Sequence, residues 1–123
     1  VVNWTRGSSL DDDETPLSHI PPTFGVVEVA RKGAMTRWST SVRYAFAKAA
    51  SDFGPGSTDN LQEALPEGSP GWATWNVEGA IQVTDRMEVR VAGLNLLDLH
   101  YRTFGSGISA PGRNVRATLS ARF

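Results

Sequence analysis

Residues 114–123, Asn-Val-Arg-Ala-Thr-Leu-Ser-Ala-Arg-Phe, alternate without a slip. Val115, Ala117, Leu119, Ala121 and Phe123 share one side, while Asn114, Arg116, Thr118, Ser120 and Arg122 share the other. A period of two means a β-strand with one apolar and one polar face. At the end of a soluble domain such a strand is a hazard, because soluble termini fray and an open apolar strand invites edge-to-edge pairing. In the wall of a transmembrane β-barrel both faces have a use. The apolar side meets lipid, the polar side meets the lumen, and a terminal aromatic residue sits at the interface.

The same pattern recurs upstream. Strand-like runs are expected at 1–6, 24–31, 36–48, 72–83 and 86–97, with the sixth at the end of the chain. In the third, Trp38, Thr40, Val42, Tyr44 and Phe46 oppose Ser39, Ser41, Arg43 and Ala45. In the fourth, Ala73, Trp75, Val77, Gly79, Ile81 and Val83 oppose Thr74, Asn76, Glu78, Ala80 and Gln82. Met87, Val89 and Val91 oppose Glu88 and Arg90 in the fifth. The intervening segments run long, short, long, short, long: 7–22, 32–34, about 49–70, 83–85 and 98–112. Short turns on one side and long loops on the other are the layout of an outer-membrane barrel. Runs of roughly 9 to 12 residues suit a tilted strand crossing the hydrocarbon, whereas sandwich strands are nearer 5 or 6. Trp38 and Phe46 share a face eight residues apart. At ~3.3 Å per residue and ~45° tilt that separation is on the order of 19 Å, the spacing of two interfacial girdles. Trp75 is expected in the outer girdle and Phe123 in the inner one.

The totals remove several classes of function. A net charge of −1 over 123 residues gives no electrostatic footprint for nucleic acid or an anionic surface. Without cysteine, disulfide staples, thiolate metal sites and cysteine nucleophiles are excluded. No apolar run approaches the ~18 residues of a membrane helix. The chain opens Val1-Val2-Asn3-Trp4, in mid-strand and without an initiator methionine. Residues 1–123 are therefore expected to be the C-terminal piece of a longer barrel.

No catalytic constellation is present, and no enzyme activity, cofactor or resident metal is expected. His19 and His100 lie in different loops with no serine or cysteine motif around them. His100 is a candidate contact for a metal chelate or haem, set against the commoner solvent-exposed loop histidine. The run Asp11-Asp12-Asp13-Glu14 carries oxygen ligands but lacks the spacing of a calcium loop, and reads as a solvated acidic loop. Gly105-Ser106-Gly107 has no strand-to-helix context and is not a phosphate loop. Arg43, Arg90, Arg116, Arg122, Glu78 and Glu88 fall on the polar faces and are expected to line a lumen.

Two blocks near the end carry a resemblance. Asn95-Leu96-Leu97-Asp98 is followed by His100-Tyr101-Arg102, then Gly105-Ser-Gly-Ile108, then Ala110-Pro111-Gly112-Arg113-Asn114 before the last strand. With Trp4-Thr-Arg-Gly7, Pro16-Leu17, Ile20-Pro-Pro22 and Pro70-Gly71 upstream, this resembles the C-terminal end of a TonB-dependent outer-membrane receptor, over essentially the whole chain. The family motif falls on Asn95, Leu96, Asp98, Tyr101, Pro111, Gly112, Arg113 and Asn114. Ala121 departs from it, since a larger residue often stands two before the terminal Phe, and Leu97 replaces a frequent Phe or Thr.

The resemblance implies an all-β fold, an antiparallel up-and-down meander of about six long strands, forming the last part of a ~22-stranded barrel with a plugged lumen. It implies import of a ferric siderophore, haem, cobalamin or other metal complex across the outer membrane of a Gram-negative bacterium. The partners implied are the outer-membrane lipid bilayer, the rest of the barrel with its plug domain, and the TonB complex through an N-terminal part. A further partner is the barrel-assembly machinery, reached through Val115, Ala117, Leu119, Ala121 and Phe123. Segments 7–22, about 49–70 and 98–112 would then be extracellular, and 32–34 and 83–85 periplasmic. Two other readings stay open: a passive porin or autotransporter-type barrel, and a soluble β-sandwich binding sugar or protein on a platform of Trp72 and Trp75.

Overall fold

The computed structural model describes residues 1–8, 15–57 and 64–123. Its elements are β1 (Val2–Asn3), β2 (Phe24–Lys32), β3 (Thr36–Ala45), β4 (Lys48–Ala49), a 3-10 turn (Ala50–Asp52), β5 (Gly68–Ser69), β6 (Trp72–Thr84), β7 (Met87–Leu94) and β8 (Asn114–Ala121). Six strands form one sheet in the order β1-β2-β3-β6-β7-β8, and β4 and β5 form a separate two-stranded ladder. The pairs β1–β2, β4–β5, β6–β7 and β7–β8 are antiparallel. The expected all-β meander is therefore present. The acidic run Asp11–Glu14 lies outside the described residues.

Register follows the alternation read from the sequence. On one side Val77 faces Gly93, Gly79 faces Val91 and Ile81 faces Val89. The row continues onto β8, where Gly93, Val91, Val89 and Met87 face Val115, Ala117, Leu119 and Ala121. On the other side Glu78 faces Ala92, Ala80 faces Arg90 and Gln82 faces Glu88, while Glu88, Arg90 and Ala92 face Ser120, Thr118 and Arg116. A slip of one residue would exchange these faces wholesale.

Four boundaries differ from the sequence expectation by two residues or more, each for a local reason. The first strand is two residues, not six. Asn3 already pairs with Phe24, the first residue of β2, and Pro21 and Pro22 beyond it have no N–H to extend a ladder. The third strand stops at Ala45 rather than Lys48, because Lys48 and Ala49 pair instead with Ser69 and Gly68. The fifth ends at Leu94 rather than Leu97, where Asn95 turns into the left-handed region at φ 49°. The last strand ends at Ala121, two residues short of Phe123. Arg122 N–H still donates to the Arg86 carbonyl at 2.9 Å, but Arg86 belongs to the turn before β7 and offers no further ladder.

Contacts divide the chain into two units. The strand unit comprises Val26–Arg43, Ala73–Leu99 and Pro111–Phe123, and the loop unit Val1–Gly25, Tyr44–Trp72 and His100–Ala110. In the strand unit the tight turn at Asp85-Arg86 is closed by Arg86 N–H on Thr84 Oγ1 at 3.3 Å. The apolar side of these strands is bare: Ile81 is 48% exposed, Val91 47% and Leu119 62%. Apolar rows this exposed are uncommon on soluble monomers and more often mark an interaction surface.

The loop unit has a small core. Phe53 is buried and stacks on Phe104 with ring centroids 5.8 Å apart, while Trp72 packs on Tyr101 at 4.4 Å. Lys48 Nζ lies 4.3 Å from the Phe53 ring centre and donates to the Ile20 carbonyl at 2.8 Å. Burial pushes the Lys48 ammonium below its usual pKa, an effect the nearby Asp52 carboxylate opposes.

Candidate functional site

Three regions of the chain carry the residues that sequence reasoning singled out. The first is the join between the two motif blocks. Leu96 N–H donates to the Trp75 carbonyl at 2.9 Å, and Asn95 N–H donates to Asn76 Oδ1 at 2.9 Å. The Asn95 side chain, 4% exposed, then spends its remaining capacity on the loop that follows. Its Nδ2 donates to the carbonyls of Leu99 at 2.8 Å and Pro111 at 3.2 Å, and its Oδ1 accepts from Leu99 N–H at 3.1 Å.

Asp98 completes the join. Its Oδ1 accepts from Arg113 N–H at 2.7 Å, with the Arg113 guanidinium 3.9 Å from Oδ2. A Cβ on Gly112 would come within 2.8 Å of Asp98 Oδ1, so a larger residue there would push the carboxylate aside. Asn114 then opens β8 opposite Leu94, and its Nδ2 donates to the Gly112 carbonyl at 3.2 Å. Asn95, Asp98, Pro111, Gly112, Arg113 and Asn114 are thus joined by hydrogen bonds and one close approach. Leu96 packs against Gly93, where an added Cβ would meet its Cδ2 at 2.9 Å. Tyr101 stands apart, in the loop unit against Trp72. Asn76 was not singled out from sequence. The only signal it gives is an amide in a strand whose other polar-face members near it are Thr74, Glu78 and Ala80.

The second region is the polar side of the strands. Arg37 Nη2 bridges both carboxylate oxygens of Glu88 at 2.6 and 2.7 Å, and Arg90 Nη2 reaches Oε1 at 3.1 Å. Glu28, Ala30, Arg37, Ser39, Glu78, Ala80 and Arg90 border one open concavity of about 370 Å³. Arg37 and Arg90 are about half exposed, so solvent screens the pairs. Glu88→Gln is expected to lower stability by about 1 kcal/mol or less, with the difference vanishing in high salt, as measured by urea unfolding.

The third region is the aromatic set. Trp75 shares the apolar side with Thr40, to whose Oγ1 its Nε1 donates at 2.7 Å. Trp38 is 47% exposed. Phe46 falls one residue past β3, where its N–H donates to the Thr23 carbonyl at 2.9 Å and its ring meets Tyr44 edge-on at 5.5 Å. Phe123 is fully exposed. Trp72 opens β6 and belongs to the loop unit, whereas Trp75 belongs to the strand unit. His100 is an exposed loop residue. Among the described residues no three His, Cys, Asp or Glu side chains converge on a metal-binding position.

Against known proteins the likeness is one of fold. The structure of the copper transporter OprC matches with a TM-score of 0.70 at 17% identity, over 90% of this chain and 19% of that one. The chain therefore spans about a fifth of the length of the transporter it matches. No family model matches the sequence, and no curated protein does.

Proposed function

We propose that this chain is the C-terminal part of the wall, with its outer loops, of a TonB-dependent receptor in the outer membrane of a Gram-negative bacterium. The observation that carries the reading is the separation of faces across β6, β7 and β8. An apolar row that includes Val77, Ile81, Val89, Val91, Val115 and Leu119 runs along one side, and Glu78, Glu88, Arg90 and Arg116 lie along the other. Lipid outside and a polar, plugged lumen inside account for both rows. The bonded Asn95 and Pro111 blocks, together with the fold shared with a copper transporter, favour this receptor over a passive porin. A plug domain, the TonB complex and the assembly machinery are its partners in this reading. The cargo is a ferric siderophore, haem, cobalamin or another metal complex. Copper is added to these cargoes because the protein of like fold is a copper transporter.

The test uses the full-length gene product in its own host. Uptake of labelled ferric siderophores, haem, cobalamin and copper is measured with and without the gene, then again after TonB deletion. Uptake of one of these that needs both the gene and TonB is the expected result. Gene-dependent flux that persists without TonB would assign the chain to a passive barrel. A full-length product that stays monomeric in buffer without detergent would return the soluble sandwich.

A further inference from the structure

The β6–β7 hairpin closes on the tight turn at Asp85-Arg86, with one register shift between Gln82 and Thr84, and turn type and loop length normally set register at such a hairpin. The β7–β8 hairpin has no such turn. Its strands are joined through residues 95–113, and a long connection leaves register weakly specified, because closing it costs nearly the same entropy in neighbouring registers. Yet β7 and β8 pair without interruption from Met87–Ala121 to Leu94–Asn114. Side-chain facing forbids a slip of one residue but not of two, which would keep both faces, so the choice between those registers falls to the loop end of the ladder.

The bonds of Asn95 and Asp98 sit at that end. They tie Leu99 to Pro111 through the Asn95 amide and the turn to Arg113 through the Asp98 carboxylate. Asn76 Oδ1 anchors the arrangement to β6. Both turn residues hold left-handed backbone, φ 49° at Asn95 and 54° at Asp98, a conformation that Asn and Asp tolerate better than other side chains. None of these bonds reaches a residue between 100 and 110. Those residues, His100–Ala110, group with the loop unit, whereas Leu99 and Pro111 group with the strands.

We propose that Asn95 and Asp98, seated on Asn76, form a latch across the neck of this loop, which holds the register of β7 and β8 independently of residues 100–110. The latch works whatever the cargo, and it goes beyond the transport reading. It gives the two sequence blocks one mechanical role, as the two halves of a closure. On the transport reading, the loop is thereby uncoupled from the wall.

Amide hydrogen exchange on the full-length protein in detergent tests it, read on peptides that cover β8. Replacing residues 101–109 with a short Gly-Ser linker should leave β8 exchange within about twofold of the parent. Asn95→Gly keeps the left-handed backbone but removes the side-chain bonds. It should speed β8 exchange by about tenfold or more, the loss of the three side-chain hydrogen bonds of Asn95. Asp98→Ala should act in the same direction, and Asp98→Asn, which keeps an acceptor for Arg113 N–H, should restore protection. If the linker variant deprotects β8 as strongly as Asn95→Gly, or if Asn95→Gly changes nothing, the latch is wrong. Should Asn95→Gly yield no assembled protein, the contrast between Asp98→Ala and Asp98→Asn decides alone.

Discussion

Val91→Arg should nearly abolish the assembled protein in outer-membrane fractions, whereas Ser120→Arg should leave it at the parent level. Val91 lies in the middle of the apolar row, facing Gly79 on β6 and Ala117 on β8. It has Ile81, Val89 and Leu119 on the same side. An arginine toward lipid at mid-depth costs roughly 2 to 4 kcal/mol. That is a large part of the roughly 5 to 15 kcal/mol by which a typical fold is stable. Ser120 faces the other way, opposite Glu88, where an arginine gains a partner rather than losing solvent. The readouts are the amount of heat-modifiable folded protein and the urea midpoint in vesicles. If both variants assembled equally, the apolar row would not face lipid. If Ser120→Arg were the damaging one, the faces would be reversed.

That contrast depends on facing, and facing is the part of the fold most legible in the sequence. Alternation over 72–83 and 114–123 assigns each side chain a side without any knowledge of partners, and the register of β6, β7 and β8 follows it. Strand ends were less legible because they are set by the neighbour. Nothing within 1–6 shows that Asn3 will meet Phe24 just where Pro21-Pro22 ends the partner's donors. Leu96 and Leu97 continue an apolar run, so the fifth strand looks longer than it is. The signal against it was Asn95, a residue type that accepts left-handed backbone.

The motif residues were visible as two blocks but not as one object. Periodicity cannot show that an amide at 95 will bond carbonyls at 99 and 111, since local pattern carries no information about long-range hydrogen bonds. For the same reason Asn76 passed as an ordinary polar-face residue. The aromatic pairs of the loop unit, Phe53 with Phe104 and Trp72 with Tyr101, were hidden more deeply, because irregular segments have no period to read.

The loop unit yields the second large effect: Gly54→Val should disorder it while sparing the strands. Gly54 is buried, and a Cβ there would be placed against the Pro16 carbonyl oxygen, the Ser18 nitrogen and the Leu17 carbonyl carbon. These are backbone atoms, which have no rotamer to escape into, so the two segments must part. Parting them breaks the Ser18 hydroxyl bond to the Pro55 carbonyl at 2.7 Å. It also breaks the His19 N–H bond to Ser57 Oγ at 3.0 Å, and Ser57 is fully buried. Overpacking costs up to about 3 kcal/mol, and the unpaired serine adds about 1 kcal/mol or more. A core built on Phe53, Phe104, Trp72 and Tyr101 is too small to absorb that. Limited proteolysis should therefore cut within 15–23 and 50–57 at least tenfold faster than in the parent, and gene-dependent uptake should fall. The heat-modifiable fraction should stay unchanged, because the β6–β7–β8 ladders contain none of these residues. Loss of the assembled barrel in Gly54→Val would mean instead that the wall depends on the loops for its own stability.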